Sequence, residues 1–120
     1  MTMTALVVDD HAGFRTSARL LLEHEGFEVV GEATDGATAV REAERLRPRL
    51  VLLDVQLPDA KGYDVARQIL DRGLDLAVVL VSSRDESEYG DRISKSGAVG
   101  FVAKTELSGE RLRTLLGGAS

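Results

Sequence analysis

The stretch ALVVDD, residues 5–10, is an apolar run of four that stops abruptly on two adjacent carboxylates, Asp9 and Asp10. Short apolar runs of this kind, enriched in Val, suit strands buried on both faces of a parallel sheet. Four more follow: FEVVGEA (27–33), LVLLD (50–54), LAVVLV (76–81) and AVGFVA (98–103). Between them the spacing turns helical. Phe14, Ala18, Leu21 and Leu22 fall on one face, as do Ala37, Val40, Ala43 and Leu46, and again Val65, Ala66, Ile69 and Leu70. Gly26, Gly73 and Gly97 follow helical segments and can take the left-handed conformation that ends them, and Pro48 ends the second helix. A strand and a helix repeated five times, joined by right-handed crossovers, predict an α/β fold with helices on both faces of a parallel sheet.

The composition agrees. At 120 residues a single core is expected, and 43% hydrophobic with 29% charged content fits a soluble globular domain whose core is Val, Leu, Ile and Ala. The absence of Cys removes disulfides and thiolate metal sites, so a cytoplasmic setting is the expectation. No apolar stretch approaches the roughly 20 residues needed to span a bilayer, and the start has no basic signal region. The net charge of -5 and the lack of clustered Lys and Arg argue against direct nucleic-acid binding by this chain. The tail from Gly117 is either a true end or the start of a linker.

In open α/β sheets the working crevice lies beyond the carboxyl ends of the strands. There the first strand places Asp9 and Asp10, the third Asp54, the fourth Ser82 and Ser83, and the fifth is followed by Lys104. Close carboxylates repel at roughly 4 kcal/mol per pair for an effective dielectric of about 20, more than one Lys can offset for three of them. A divalent cation can, and hard oxygen donors of this kind select Mg²⁺.

These residues resemble the receiver domain of two-component response regulators. The likeness rests on VVDDH (7–11), LLDVQLPDAKG (52–62), VLVSS (79–83) and GFVAK (100–104), in the order and spacing of that family and across essentially the whole chain. It implies a three-layer flavodoxin-like (βα)5 fold with a five-stranded sheet of order 2-1-3-4-5. It implies that Asp54 accepts a phosphoryl group from a phosphohistidine on a sensor histidine kinase or phosphotransfer protein. Asp10, Asp54 and the backbone carbonyl of Gln56 match direct Mg²⁺ ligands, and Asp9 matches the acid that acts through a water. Ser82 and Lys104 match the groups that contact the phosphoryl oxygens. Gln56 and Arg84 match variable positions that affect the lifetime of the phosphoryl group.

Physical chemistry supports these roles. A carboxylate is ionised near neutrality, so Asp54 as nucleophile needs no general base, and the remaining demand is charge cancellation by Mg²⁺ and Lys104. An acyl phosphate adds charge and acceptors that draw Ser82 inward. In the family an aromatic three residues before the Lys fills the vacated space. Here it is Phe101, which lacks the more usual Tyr hydroxyl, so a looser coupling of that ring to phosphorylation is expected. Residues 84–97, RDESEYGDRISKSG, predict a weakly held helix anchored by Tyr89 and Ile93 with Gly90 inside it. The resemblance implies that the face spanning residues 84–117 is the surface for an output partner or a second copy.

Several residues have structural readings. Asp9 or Asp10 could cap the first helix, Ser83 with Glu86 forms a capping-box pattern, Thr105 is expected to cap the last helix, and His11 is expected as an exposed loop residue. Thr105, where many receivers have Pro, removes the main reason for a cis bond after Lys104. Among rival functions, an Asp-nucleophile phosphatase of the haloacid-dehalogenase kind needs an acid two residues after the nucleophile, where Gln56 stands. A nucleotide-binding domain would need a Gly-rich loop after the first strand, which DHAGFRTS lacks. A pseudo-receiver that works by protein contacts alone is the remaining alternative. The expectation is one receiver domain over residues 1–120, with no output domain within them and no catalysis beyond its own phosphorylation and dephosphorylation. The segments VVDDHAGFR and GFVAKTELS look like receivers that precede a helix-turn-helix domain.

Overall fold

A computed structural model describes residues 3–117. Strands β1 (Met3–Val8), β2 (Phe27–Ala33), β3 (Leu50–Asp54), β4 (Ala77–Ser82) and β5 (Gly100–Ala103) alternate with helices α1 (Ala12–His24), α2 (Gly36–Leu46), α3 (Gly62–Leu70), α4 (Arg92–Lys95) and α5 (Gly109–Leu115). Single 3₁₀ turns occupy Glu86–Tyr89 and Lys104–Glu106. All strand pairs are parallel, in the order 2-1-3-4-5 that the resemblance implies.

The alternation of side chains along β1 shows why the runs are apolar on both sides. Leu6 and Val8 pack with Val65, Ala66 and Ile69 of α3, whereas Ala5 and Val7 pack with Ala18, Leu22 and Leu112 of α1 and α5. The three central strands are thus wholly covered, with helices α2, α3 and α4 on one face and α1 and α5 on the other. The predicted faces of α1 and α3 hold. On α2 the inward face is shifted, with Ala39 buried and Ala37 exposed. Gly26, Gly73 and Gly97 have φ of +94°, +73° and +88°, the conformation expected of helix stops, while α2 ends at Leu46, two residues before Pro48, with the intervening Arg47 itself left-handed at φ 47°.

The largest departure from the sequence reading is the segment 84–97. It does not form one helix. Gly90, at φ 60° and ψ −133°, separates the 3₁₀ turn from the four-residue α4. The segment has too few apolar residues to bury a helical stripe, so packing gives a continuous helix nothing to gain. The cap assignments change with it. Asp85 and Glu88, not Ser83 and Glu86, form the capping box, and Ser83 is exposed. Ser108, not Thr105, caps α5 by accepting from the Arg111 N–H, because the chain after Lys104 first makes a 3₁₀ turn and only then enters the helix. No peptide bond among the described residues is cis, so the Lys104–Thr105 bond is trans as expected. Strand β5 begins at Gly100, two residues later than the apolar run suggested.

Candidate functional site

Strand register brings the site together. Val8 pairs with Leu53, Asp54 with Val81, and Ser82 with Ala103, so the residues at and just past these pairs share one end of the sheet. Oxygen atoms of Asp9, Asp10 and Asp54 and a ring nitrogen of His11 lie within 4.8 Å of one another. Asp9 is fully buried and Asp54 is 2% exposed, whereas Asp10 stands at the open side of the cluster.

Asp9 is bound from within the protein. Its Oδ1 accepts from the His11 N–H at 2.8 Å, in a tight turn that starts α1, and its Oδ2 lies 2.6 Å from Lys104 Nζ. The first helix is therefore capped by neither acidic side chain in the usual sense, and its first residue is preceded by His11 without a side-chain cap bond. Lys104 Nζ is also 3.5 Å from Asp54 Oδ2 and 4.5 Å from the centre of the Phe14 ring. The ammonium offsets charge on both carboxylates, in a close ion pair with Asp9 and a longer one with Asp54. Apart from those ion pairs, Asp9 Oδ2 and Asp54 Oδ2 are buried without a hydrogen-bond partner. Burial pushes the Asp54 carboxyl up to about 6, with the Asp9 charge acting in the same direction and the Lys104 charge and Gln56 N–H opposing it.

Asp54 Oδ1 accepts from the Gln56 N–H at 3.3 Å. Gln56 and Lys61 form an isolated antiparallel bridge, closed by Leu57 N–H to the Ala60 carbonyl and Gly62 N–H to the Val55 carbonyl. That arrangement makes Gln56 and Lys61 a non-hydrogen-bonded pair, so the backbone groups of Gln56 are turned away from the bridge. Gly62 has a steric reason to be glycine, since a Cβ would be driven into the Asp54 carbonyl oxygen. Farther along the same loop, Asp59 accepts from the Gly36 and Ala37 N–H groups at 2.7 and 3.1 Å, holding the loop against the N-terminus of α2. Those two N–H groups keep the Asp59 carboxyl below its usual range.

Ser82 is fully buried, but its hydroxyl does not bond Asp54. It meets the Tyr89 hydroxyl at 2.7 Å and accepts from the Arg84 N–H at 3.0 Å. Arg84 itself turns its guanidinium to Glu88. Phe101 is half-buried beside Tyr89, with ring centres 6.2 Å apart.

Residues 5–116 match the response regulator receiver domain family. The chain belongs to that family. It is similar to the virulence-factor transcription regulator BvgA of Bordetella pertussis, 39% identical over 101 residues that make up 84% of this chain and 48% of BvgA. It is also similar to the DNA-binding transcriptional activator EvgA of Escherichia coli K12, 34% identical over 104 residues, 87% of this chain and 51% of EvgA. The chain spans about half the length of these curated relatives. Among solved structures, the signal receiver domain of the NarL response regulator from Mycobacterium tuberculosis superposes with a TM-score of 0.86 at 33% identity, covering 98% of this chain and 96% of that one. A CheY-like receiver from Methanospirillum hungatei has a TM-score of 0.85 at 22% identity and covers 98% of this chain and 93% of that one, which bears on the fold alone.

This is a receiver domain of two-component signalling, and its acidic pocket has the character of those in which receivers bind Mg²⁺. The donor set fits such an ion. The oxygens are hard, clustered and in excess over the one ammonium, and two of them are buried without a hydrogen bond. The receiver brings Asp9, Asp10, Asp54, Gln56, Ser82 and Lys104 to one end of its sheet, and Phe101 lies one ring away. Sequence reading overlooked three contributors: the Phe14 ring beside Lys104, the Asp59 clamp and the Tyr89 hydroxyl on Ser82. His11 is exposed as expected, yet it stands within the cluster. The PDA pattern in the β3–α3 loop could have hinted at a clamp. Nothing local announces the contact of Phe14 with Lys104, which joins residues far apart in the chain, or that of Tyr89 with Ser82, which depends on the path of the turn between them. No helix among the described residues is long and apolar enough to cross a membrane.

Proposed function

We propose that Asp54 is the phosphoacceptor of this receiver, taking its phosphoryl group from a phosphohistidine on a sensor kinase or phosphotransfer protein. The observation that carries the reading is the pair of buried carboxylates, Asp9 and Asp54, each with an oxygen that has no hydrogen bond and a single ammonium between them. Such an arrangement is electrostatically incomplete in the protein alone. Asp10, Asp54 and the Gln56 carbonyl are the direct donors for Mg²⁺ in this reading, with Asp9 acting through a water. Asp9 is already engaged by His11 and Lys104, and Asp10 is the more open carboxylate, which supports that division. Bound Mg²⁺ supplies positive charge for the phosphoryl oxygens.

The chain's own residues do the rest. With a carboxyl near 6, Asp54 is roughly nine-tenths ionised at pH 7 and acts as nucleophile without a base. Its oxygen bonds to phosphorus as the phosphorus–nitrogen bond of the donor breaks, and the imidazole keeps the electron pair. Lys104, set by Phe14 and Asp9, stabilises the negative oxygens, and Ser82 turns its hydroxyl to one of them. The same site returns phosphate by hydrolysis, at a rate that Gln56 and Arg84 influence from the rim. Signal leaves through the face made by residues 84–117, to an output partner or a second copy. In this reading the chain is one cytoplasmic receiver unit that binds no nucleic acid or membrane itself.

The test is intact-mass measurement after incubation with acetyl phosphate. One phosphoryl adduct is expected with Mg²⁺, and none with EDTA or in Asp54→Ala. Absence of an adduct with every donor tried would overturn the reading in favour of a pseudo-receiver. By metal titration, Asp10→Ala is expected to weaken Mg²⁺ binding more than Asp9→Ala does, and equal losses would undo the division of roles.

A further inference from the structure

Tyr89 ends the 3₁₀ turn after β4 and is 5% exposed. Its hydroxyl lies 2.7 Å from Ser82 Oγ and accepts from Gln56 Nε2 at 3.3 Å, while Gln56 Oε1 accepts from Lys61 Nζ at 2.7 Å. A chain of hydrogen bonds thus runs from the loop after Asp54, through Tyr89, to Ser82. The ring stands between Tyr63 and Phe101, 6.1 and 6.2 Å away centre to centre. Tyr89 therefore lies alongside Phe101 and carries the phenol hydroxyl that Phe101 lacks.

We propose that Tyr89 is the positioning residue that couples Ser82 to the partner-binding face, by holding the Ser82 hydroxyl when Asp54 is unmodified and by losing that hold when Asp54 is phosphorylated. The proposal rests on the phosphoacceptor reading of Asp54. A serine hydroxyl has one proton and two lone pairs, and here the Arg84 N–H and Tyr89 occupy two of those three places. An aspartyl phosphate adds about two negative charges and strong acceptor oxygens beside Ser82, and it competes for the hydroxyl. Once Ser82 turns away, the buried Tyr89 hydroxyl keeps only the Gln56 donor, at 3.3 Å. A buried polar group in that state is driven toward solvent.

The surrounding chain is suited to follow it. Tyr89 and Ile93 are the only large side chains buried from residues 84–97, and Gly90 lies between them in a glycine conformation. Outward movement of Tyr89 removes one of the two anchors, frees the short α4 and opens space next to Phe101. The coupling that the sequence assigned to Phe101 alone, and expected to be loose, is carried by a hydroxyl twelve residues earlier.

The chain has two tyrosines and no Trp, so Tyr63→Phe leaves Tyr89 as the only tyrosine emitter. Acrylamide quenching of that emission is compared with and without Mg²⁺ and beryllium fluoride, a phosphoryl mimic, with native mass measurement to confirm the adduct. Quenching is expected to rise about threefold or more on formation of the adduct. An adduct with unchanged quenching overturns the coupling while leaving Asp54 as phosphoacceptor, whereas absence of any adduct overturns the phosphoacceptor reading and the coupling with it. A second measurement keeps the ring. Tyr89→Phe is expected to speed phosphorylation by acetyl phosphate about fivefold, the factor for one released hydrogen bond, and to have no effect in a Ser82→Ala background. Equal acceleration in both backgrounds overturns the proposal.

Discussion

The β3–α3 loop and the segment after β4 both border the acidic cluster, and they are held in opposite ways. The first is tied by backbone bonds at Val55, Leu57 and Gly62, by the Asp59 carboxylate on the α2 N-terminus, and by contact too close at Gly62 for any side chain. The second is a 3₁₀ turn and a four-residue helix, anchored by the buried Tyr89 and Ile93, by the small buried Ser96 and by exposed contacts such as Arg67 to the Lys95 carbonyl and Arg92 over the Tyr63 ring. In the function proposed above, the difference separates two tasks. Groups that bind an ion or a phosphoryl group need fixed positions, and a surface that reports on them needs a low cost of rearrangement.

That contrast can be broken by substitution. The largest effect is expected at Gly62→Ala, where backbone cannot swing aside, with a loss of about 3 kcal/mol or more by urea unfolding. A loss under about 1 kcal/mol would mean that the loop is as yielding as the segment after β4.

Next is Asp54→Asn. The carboxyl pKa of Asp54 rises from 3.8 to about 6 on folding, so the folded state holds the proton more tightly than the unfolded chain. The sign follows directly: the carboxylate costs nothing below about pH 4, its penalty grows as pH rises to about 6, and it is constant above that. Without divalent cations Asp54→Asn should therefore be more stable than the wild type at pH 7 by about 3 kcal/mol, with no advantage near pH 4. Addition of Mg²⁺ should close the gap. A pH-independent difference would show that packing, not charge, is responsible.

A smaller and more direct comparison pairs two acidic caps. Asp59→Ala should lower Tm by roughly 3–5 °C and loosen the loop beside Asp54, whereas Asp85→Ala, at the 3₁₀ turn, should lower it by only about 1 °C. Equal shifts by calorimetry would remove the asymmetry between the two borders.

How far the sequence reached can be judged element by element. LVLLD is a strand over the expected residues because a strand buried on both faces writes its whole length in apolar side chains, and FEVVGEA is one at the sheet edge, where only Val29 and Ala33 are buried. Asp9, Asp10, Asp54, Ser82 and Lys104 were identifiable because each follows or ends such a run. Residues 84–97 failed as a helix, since propensity without an apolar stripe leaves the outcome to packing. Thr105 and Ser83 failed as caps for a related reason. Each has the right chemistry, but the cap goes to whichever residue stands where the helix starts: the 3₁₀ turn at Lys104–Glu106 moves the start of α5 to Ser108, and the turn after β4 begins only at Asp85.

The sequence by itself determined the order of strands and helices, the concentration of acid at their carboxyl ends and the family that this pattern marks. Those properties are periodic or local, so one dimension is enough to record them. Only the tertiary structure decided that Lys104 lies beside Phe14 and between Asp9 and Asp54, that Asp59 clamps α2, and that the Ser82 hydroxyl is held by Tyr89. Each of these depends on where a side chain ends after the sheet has brought distant strands into register, and hydrogen bonds made over about 3 Å cannot be read from spacing along the chain.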